Sequence, residues 1–362
     1  MTAQHPPLIP AKRSETSTRM LPGQRLLRAG VRILGALSPA LGAKVMDRLW
    51  FAAPRTKPRA ADQAVLDCAE RMALRVHDRE VVAWAWGDEG PTIILVHGWG
   101  GNAGQLQSYV LPLREAGFRV VAFDAPSHGA SAASRHGGRR VTFFEFAEAL
   151  QLVAAREANV EGIIAHSGGC TAVALALRAG WTPPASLVFV APFVHPAMAI
   201  EGFAHAIGAN ERVVAQFTAG VERWLGISWS YLDITTLDDA HKQQRLLVVH
   251  DEDDREVPLA HARALAASWP SAQLMVTRGL GHRRVLRDAT VVEKVRDFLA
   301  EGSSMALARN SDYLPRDSRA ALDRAYEAFA LAAKGCGYAG TEGTRNSGQS
   351  GASRYEDKTG RR

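Results

Sequence analysis

From about residue 72 to residue 300, short apolar runs rich in β-branched residues alternate with segments of helical periodicity. An apolar run without polar alternation must be covered on both faces, and a helix between two such runs supplies the crossover that parallel pairing requires. This rhythm therefore predicts an α/β protein with a mostly parallel central sheet and helices on both sides. The segments around Leu74–Val76 and 81–86 read as an antiparallel pair, followed by strands at Thr92–Val96, Arg119–Phe123, 160–165, Ser186–Val190, 246–250 and 274–277. Helices are expected at 103–116, 143–158, 170–179, Leu259–Ser268 and 291–299. The rhythm breaks once, across residues 192–242, where about fifty residues stand in place of the ~12 that a crossover needs. That excess predicts an inserted helical cap.

The flanks differ from this body, and three regions follow: a basic arm over 1–60, an α/β domain over 61–302 and an extension over 303–362. Residues 1–21 are polar and proline-rich and read as a disordered start. Leu27, Val31, Leu34 and Leu37 then recur at helical spacing, with Arg25, Arg28 and Arg32 on another face. Ser38-Pro39 reads as an N-cap with proline at the first helical position, opening a second helix through Leu41, Val45 and Leu49. A basic amphipathic helix can lie on an anionic membrane surface, although helices of this pattern more often pack on their own domain. At the other end, 316–334 reads as an amphipathic helix closed by Gly335, followed by a Gly/Ser/Thr-rich flexible tail.

Among the 362 residues, 47% are hydrophobic and 22% charged, enough apolar content for a sizeable core. The formal charge of +6 points towards nucleic acid only until it is divided. Residues 1–60 hold eleven Lys or Arg against two acids, a net +9, which leaves the rest at −3. The body has no zinc-finger, RNP or basic-aromatic pattern, so no nucleic-acid role is expected. Cys68, Cys170 and Cys336 form no disulfide or metal-ligand motif. The best apolar stretch, 29–43, is interrupted by Arg32 and Pro39 and is too short to span a bilayer, and it makes a poor secretory signal. A cytoplasmic protein is expected, and the sequence sets no oligomeric state.

One strand ends in a way that suggests chemistry. Ile163-Ile164-Ala165 stops at His166-Ser167-Gly168-Gly169, and helix-forming residues follow at once. A serine on so sharp a strand-to-helix turn sits in a strained conformation that only small neighbours two residues away tolerate, here Ala165 and Gly169. The same pentapeptide also occurs in ordinary connections, so its surroundings must supply a base, an acid and a second oxyanion donor.

Ligands of open α/β sheets gather at the carboxyl ends of the strands. After Thr92–Val96 comes His97-Gly98-Trp99-Gly100-Gly101, either a tight turn or a loop whose Trp99 N–H joins that of Gly168 as an oxyanion donor. After 246–250 comes Asp251-Glu252-Asp253-Asp254, which is a solvated turn, a divalent-cation site, or the source of one buried carboxylate facing a histidine. After 274–277 comes Gly279-Leu280-Gly281-His282. Ser, Asp and His in that chain order, each just past a parallel strand, is the order of one particular catalytic triad.

From about residue 72 to 301 the chain resembles the α/β-hydrolase superfamily, and in particular bacterial serine hydrolases with a cap between strands six and seven. Five motifs carry the resemblance: His97 to Gly101 as the oxyanion loop; Asp124-Ala125-Pro126-Ser127-His128-Gly129-Ala130-Ser131 as the D-x-P-G-H-G-x-S turn; Ala165 to Gly169 as the nucleophile elbow; Asp254 to Pro258 as the D-x-x-V-P acid loop; and Gly279 to His282 as the histidine loop. There are three departures. Ala165 and Ser127 each replace glycine, and Asp251 stands where the family has glycine after the strand histidine, a place where a left-handed turn is expected.

The resemblance implies Ser167 as nucleophile, His282 as base and Asp254 as acid, with Asp251 and then Asp253 as the alternatives for the acid. It implies the amides of Trp99 and Gly168 as oxyanion donors, and no metal or organic cofactor. The expected reaction is hydrolysis of a carboxylic ester or thioester of a small-molecule acyl substrate through an acyl-enzyme. An acyltransferase, or a non-catalytic binding protein on the same scaffold, is the alternative. Phe193, Phe203, Ile207, Phe217, Trp224, Leu225, Trp229 and Tyr231 in the cap either line an acyl pocket or form the cap's own core, and Arg283 and Arg284 either favour an anionic leaving group or sit solvated at the surface.

Overall fold

The computed structural model describes residues 22–182 and 184–303. The expected disordered start, the 316–334 helix, Cys336 and the tail lie outside the described residues. Strands β1 (Glu70–Val76), β2 (Arg79–Trp86), β3 (Thr92–Val96), β4 (Arg119–Phe123), β5 (Val160–His166), β6 (Ser186–Val190), β7 (Arg245–Asp251) and β8 (Ala272–Thr277) form one sheet. Its order is β1-β2-β4-β3-β5-β6-β7-β8. Both pairings of β2 are antiparallel, and those from β4 through β8 are parallel. The helices are α1 (Pro22–Leu37), α2 (Pro39–Trp50), α3 (Ala60–Asp67), α4 (Val110–Glu115), α5 (Phe143–Ala154), α6 (Gly168–Arg178), α7 (Ala199–Ile207), α8 (Glu211–Leu225), α9 (Leu259–Ser268), α10 (Gly281–Arg284) and α11 (Ala289–Glu301).

The strand period of two divides the interior. Ile94 and Val96 of β3, Ile163 and Ala165 of β5, and Leu187 and Phe189 of β6 face a core shared with α5, α6, α9 and the cap. Ile93, Leu95, Ile164, Val188 and Val190 face a second core with α3, α4 and α11. The expected helix over 103–116 is instead a 3-10 segment at Ala103–Tyr109 followed by α4. Pro112 cannot donate the backbone bond that one continuous helix would need there. α5 ends at Ala154 because Glu157 is drawn to the sheet's amino edge, where its carboxylate accepts from Thr92 Oγ1 at 2.9 Å and Arg119 Nε at 2.8 Å. α3, which the periodicity did not announce, is held by Asp62, a buried carboxylate bridging Arg59 and Arg287.

The basic arm folds back on the cap. Ser38 caps α2 by accepting from Leu41 N, with Pro39 at the first position, as the sequence anticipates. Val31 of α1 and Met46 of α2 are buried in the core that holds Val213 and Phe217 of α8. Two glycines make the close approach possible. A Cβ on Gly42 would lie 2.7 Å from Val213 Cγ2 and 3.0 Å from Gly35 Cα, and one on Gly35 would lie 2.8 Å from the same Val213 methyl. Gly42→Val therefore forces α2 off α8. We expect chemical denaturation to show a loss of about 1–3 kcal/mol, part of which returns when Val213→Ala is added.

Candidate active site

Every loop singled out by the sequence lies at the carboxyl edge of the sheet. Ser167 closes β5 with φ 51° and ψ −120°, a backbone that costs a non-glycine residue about 1–3 kcal/mol. Neighbouring peptides hold it there. Its N–H donates to Val190 O at 3.0 Å, and its carbonyl accepts from Cys170 N at 3.0 Å and Phe193 N at 3.2 Å. Small neighbours are required because a Cβ on Gly169 would lie 2.7 Å from His97 O, and one on Gly98 would lie 3.0 Å from the Ser167 Cβ.

Gly168 opens α6, so its amide has no intrahelical acceptor. An ideal Cβ at Gly168 would stand 3.6 Å from Trp99 N, so the two expected oxyanion donors are neighbours in space. Two neutral histidines secure the Trp99 loop. His97 donates from Nδ1 to Gly98 O at 2.7 Å and accepts at Nε2 from Ala125 N at 3.0 Å. His128 donates from Nδ1 to Pro126 O at 2.9 Å and accepts at Nε2 from Gly100 N at 2.9 Å. Burial pushes His97 down to about 4 and His128 to about 3, so both are uncharged at neutral pH. The carboxylate of Asp124 fastens the same two loops, accepting from Ala103 N and Ala130 N at 2.7 Å each. Ser127, in the glycine place of that motif, does take a positive φ of 63°, and its hydroxyl donates to Gly138 O and accepts from Ser134 N.

Asp254 Oδ2 and His282 Nδ1 are 2.7 Å apart, and both side chains are buried. The other Asp254 oxygen accepts from Glu256 N at 2.8 Å and Val257 N at 2.9 Å. Burial raises the Asp254 pKa, but these bonds and the imidazole outweigh burial and hold the carboxyl below its usual range. Behind the pair lies His250, which donates from Nε2 to Val257 O at 2.9 Å, and burial depresses its basicity. His166 donates from Nε2 to the backbone oxygen of His282 at 3.0 Å, and the two rings are 4.7 Å apart. Burial above all, with the repulsion a second cationic ring so close to His282 would meet, pushes His166 down to about 3, so it stays neutral.

The rival carboxylates are engaged elsewhere. Asp251 accepts from Thr277 Oγ1 at 2.8 Å, Leu280 N at 3.0 Å and Asp253 N at 3.0 Å. It thereby ties the end of β7 to the loop that carries His282. It is also the last residue of β7 and has no positive φ, so the left-handed turn expected at this glycine place does not occur. Asp253 accepts from Gly279 N at 3.0 Å, and Glu252 pairs with Arg278. The four acids diverge, each into its own hydrogen bonds.

Ser167, Gly168, Trp99 and His282 open onto one cavity of about 440 Å³. Of the cap residues anticipated for an acyl pocket, Phe193, Phe203, Leu225 and Trp229 line it. Ile207 and Phe217 are instead packed in the core. Trp224 lies beneath the Arg140 guanidinium at 4.1 Å, and Tyr231 beneath that of Arg178 at 4.9 Å. The arm supplies a wall the sequence reading did not foresee, with Leu49, Trp50, Phe51 and Pro54 all facing the cavity. Phe143 and Phe144 were missed as well, although Thr142 and Glu145 form the capping box that places them in the first turn of α5. Of the two arginines after His282, Arg283 pairs with Glu256 at 3.2 Å and Arg284 donates to Gly279 O at 2.6 Å.

Residues 93–294 match the sequence profile of the alpha/beta hydrolase family. No curated protein matches the chain in sequence. Among solved structures, the chain is similar to a membrane phospholipase A described as a novel bacterial virulence factor, with 17% identity over 77% of this chain and 97% of that one and a TM-score of 0.51. It is also similar to bromoperoxidase from Bacillus anthracis, with 18% identity, 64% and 100% coverage and a TM-score of 0.50. A thermophilic esterase from Thermogutta terrifontis aligns at 17% identity, 65% and 99% coverage and a TM-score of 0.50. At such identities the likeness is one of fold. With a family profile spanning more than half its length, and the sheet of that fold beneath it, this chain belongs to the alpha/beta hydrolase family.

Proposed function

We propose that the protein is a serine hydrolase that cleaves a carboxylic ester or thioester with an apolar acyl group, through an acyl-enzyme on Ser167. The observation that carries this reading is the buried 2.7 Å contact between Asp254 and His282, with His282 and Ser167 on the wall of one cavity. Asp254 occupies Nδ1 of the imidazole, which leaves Nε2 to accept the Ser167 proton as Oγ attacks the substrate carbonyl. The amides of Trp99 and Gly168 receive the negative charge that develops on the carbonyl oxygen. Collapse of the tetrahedral species expels the alcohol or thiol, which takes the proton held on His282. Water, deprotonated by the same nitrogen, then attacks the acyl-enzyme and frees the acid and Ser167. The apolar preference rests on the aromatic walls from the arm, the cap and α5.

A fluorophosphonate probe should label the protein covalently and fail to label Ser167→Ala. An unlabelled parent protein would favour the non-catalytic reading, and a labelled variant would move the nucleophile elsewhere.

The two aspartates should separate in kinetics. Asp254→Asn leaves the imidazole in the wrong tautomer and should lower kcat by about ten-thousandfold. Asp251→Asn keeps the Asp254–His282 contact but loses charge-assisted bonds to the histidine loop, so it should cost about 1.5–3 kcal/mol in denaturation and far less in kcat. A kcat loss at Asp251 equal to that at Asp254 would transfer the acid role.

Because the folded-state pKa of Asp254 is depressed, its carboxylate contributes stability that is fully present above the unfolded value of about 3.9 and is lost as pH falls through the folded value. The stability gap between the parent protein and Asp254→Asn should therefore be constant near neutrality and narrow below about pH 4 in acid-titrated denaturation curves.

A further inference from the structure

α1 has an outward face that nothing in the described chain covers. Leu26, Ile33 and Leu37 are 76%, 62% and 80% exposed, and Leu41 at the start of α2 is 47% exposed. Steps of seven and four residues place Leu26, Ile33 and Leu37 on one side of the helix, opposite the side that buries Val31 and Gly35 against the cap. Arg25 and Arg32 are exposed and project about 100° from the stripe. α1 has no acidic residue, and the single acid of α2, Asp47, is bound to Arg140 at 2.8 Å. The two helices together carry Arg25, Arg28, Arg32, Lys44 and Arg48 against that one acid, a net +4. Beneath them, α7 and α8 carry Glu201, Glu211 and Glu222 against Arg212 and Arg223, which leaves the whole assembly positive.

An apolar stripe bordered along one edge by arginines, with Leu27, 41% exposed, along the other, is complementary to one surface in particular, the interface of a bilayer rich in anionic lipids, where leucines enter the acyl boundary and guanidinium groups meet phosphates. Self-association through the stripe would set two net-positive helix pairs face to face. It would also bury far less than the ~800 Å² per partner of a stable interface, because the helix is only about 24 Å long. No helix among the described residues is long and apolar enough to cross a membrane, so α1 would lie on the surface. We infer that the α1–α2 hairpin docks this protein onto anionic membranes. Trp50, on the cavity wall, lies about 14 Å along α2 from Leu41. Leu41 of the docked face and Trp50 of the cavity wall therefore lie on the same helix.

The test is co-sedimentation of the full chain with vesicles of equimolar phosphatidylglycerol and phosphatidylcholine, compared with phosphatidylcholine alone. Binding should require the anionic lipid and weaken with salt. Each of Arg25→Gln and Arg32→Gln should reduce partitioning about fivefold, and Ile33→Ser with Leu37→Ser by at least tenfold, while labelling of Ser167 by a soluble fluorophosphonate stays unchanged. Equal binding to both vesicles, or indifference to the stripe variants, would overturn the inference. So would light scattering that shows a dimer made monomeric by Ile33→Ser with Leu37→Ser, or a fall in melting temperature of several degrees in that variant, which would mean that the chain itself covers the stripe. None of the partitioning, light-scattering or melting outcomes depends on whether Ser167 is a nucleophile, so failure here and failure of the hydrolase reading are separable.

Discussion

The structure turns on the backbone of one residue. Ser167 is held at a positive φ because β5 ends there, α6 begins one residue later, and the peptides of Val190, Cys170 and Phe193 bind it on three sides. A strained peptide persists only when its surroundings over-determine it. Here they do: the carbonyls of Val96 and His97 leave no room for a side chain at Gly169, and His166 crowds Gly98. The same crowding brings the Trp99 loop beside the start of α6, where two backbone amides come together.

Around this turn, histidines serve as neutral wiring. His97, His128 and His166 are so depressed by burial that each uses one nitrogen as donor and, in the first two, the other as acceptor, clamping loops without adding charge. His250 braces the Asp254 turn in the same manner. The Asp254–His282 pair itself lies buried, in a setting where an electrostatic contact is stronger than in water. Asp251, the nearest competitor, is engaged in holding the histidine loop to β7.

Much of the fold was legible. The strands at Thr92–Val96, Arg119–Phe123 and Ser186–Val190 fall where their apolar runs place them, because five-residue runs rich in β-branched and aromatic residues are too short for buried helices and fit strands covered on both faces. The loops at Ser167, Asp254 and His282 were legible for a related reason: each is the punctuation after such a strand. What escaped were features with no local signature. α3 is held by an ion pair between Asp62 and Arg287, which lie far apart in the chain. The 103–116 helix was broken by a proline whose effect depends on where the turn begins.

The amino-acid sequence by itself determined the α/β alternation, the edge of the sheet where the site lies, and the chain order of serine, aspartate and histidine, because these follow from periodicity and from residues adjacent in the chain. Only the tertiary structure decided which aspartate meets the histidine, since Asp251 and Asp254 differ by one turn of a loop and the hydrogen bonds that sort them come from β8 and the loop after it. It also decided that Trp50 and Phe51 of the arm form a wall of the cavity. That outcome rests on Gly35 and Gly42 letting two helices close on Val213, a contact between residues more than 170 positions apart that no local pattern encodes.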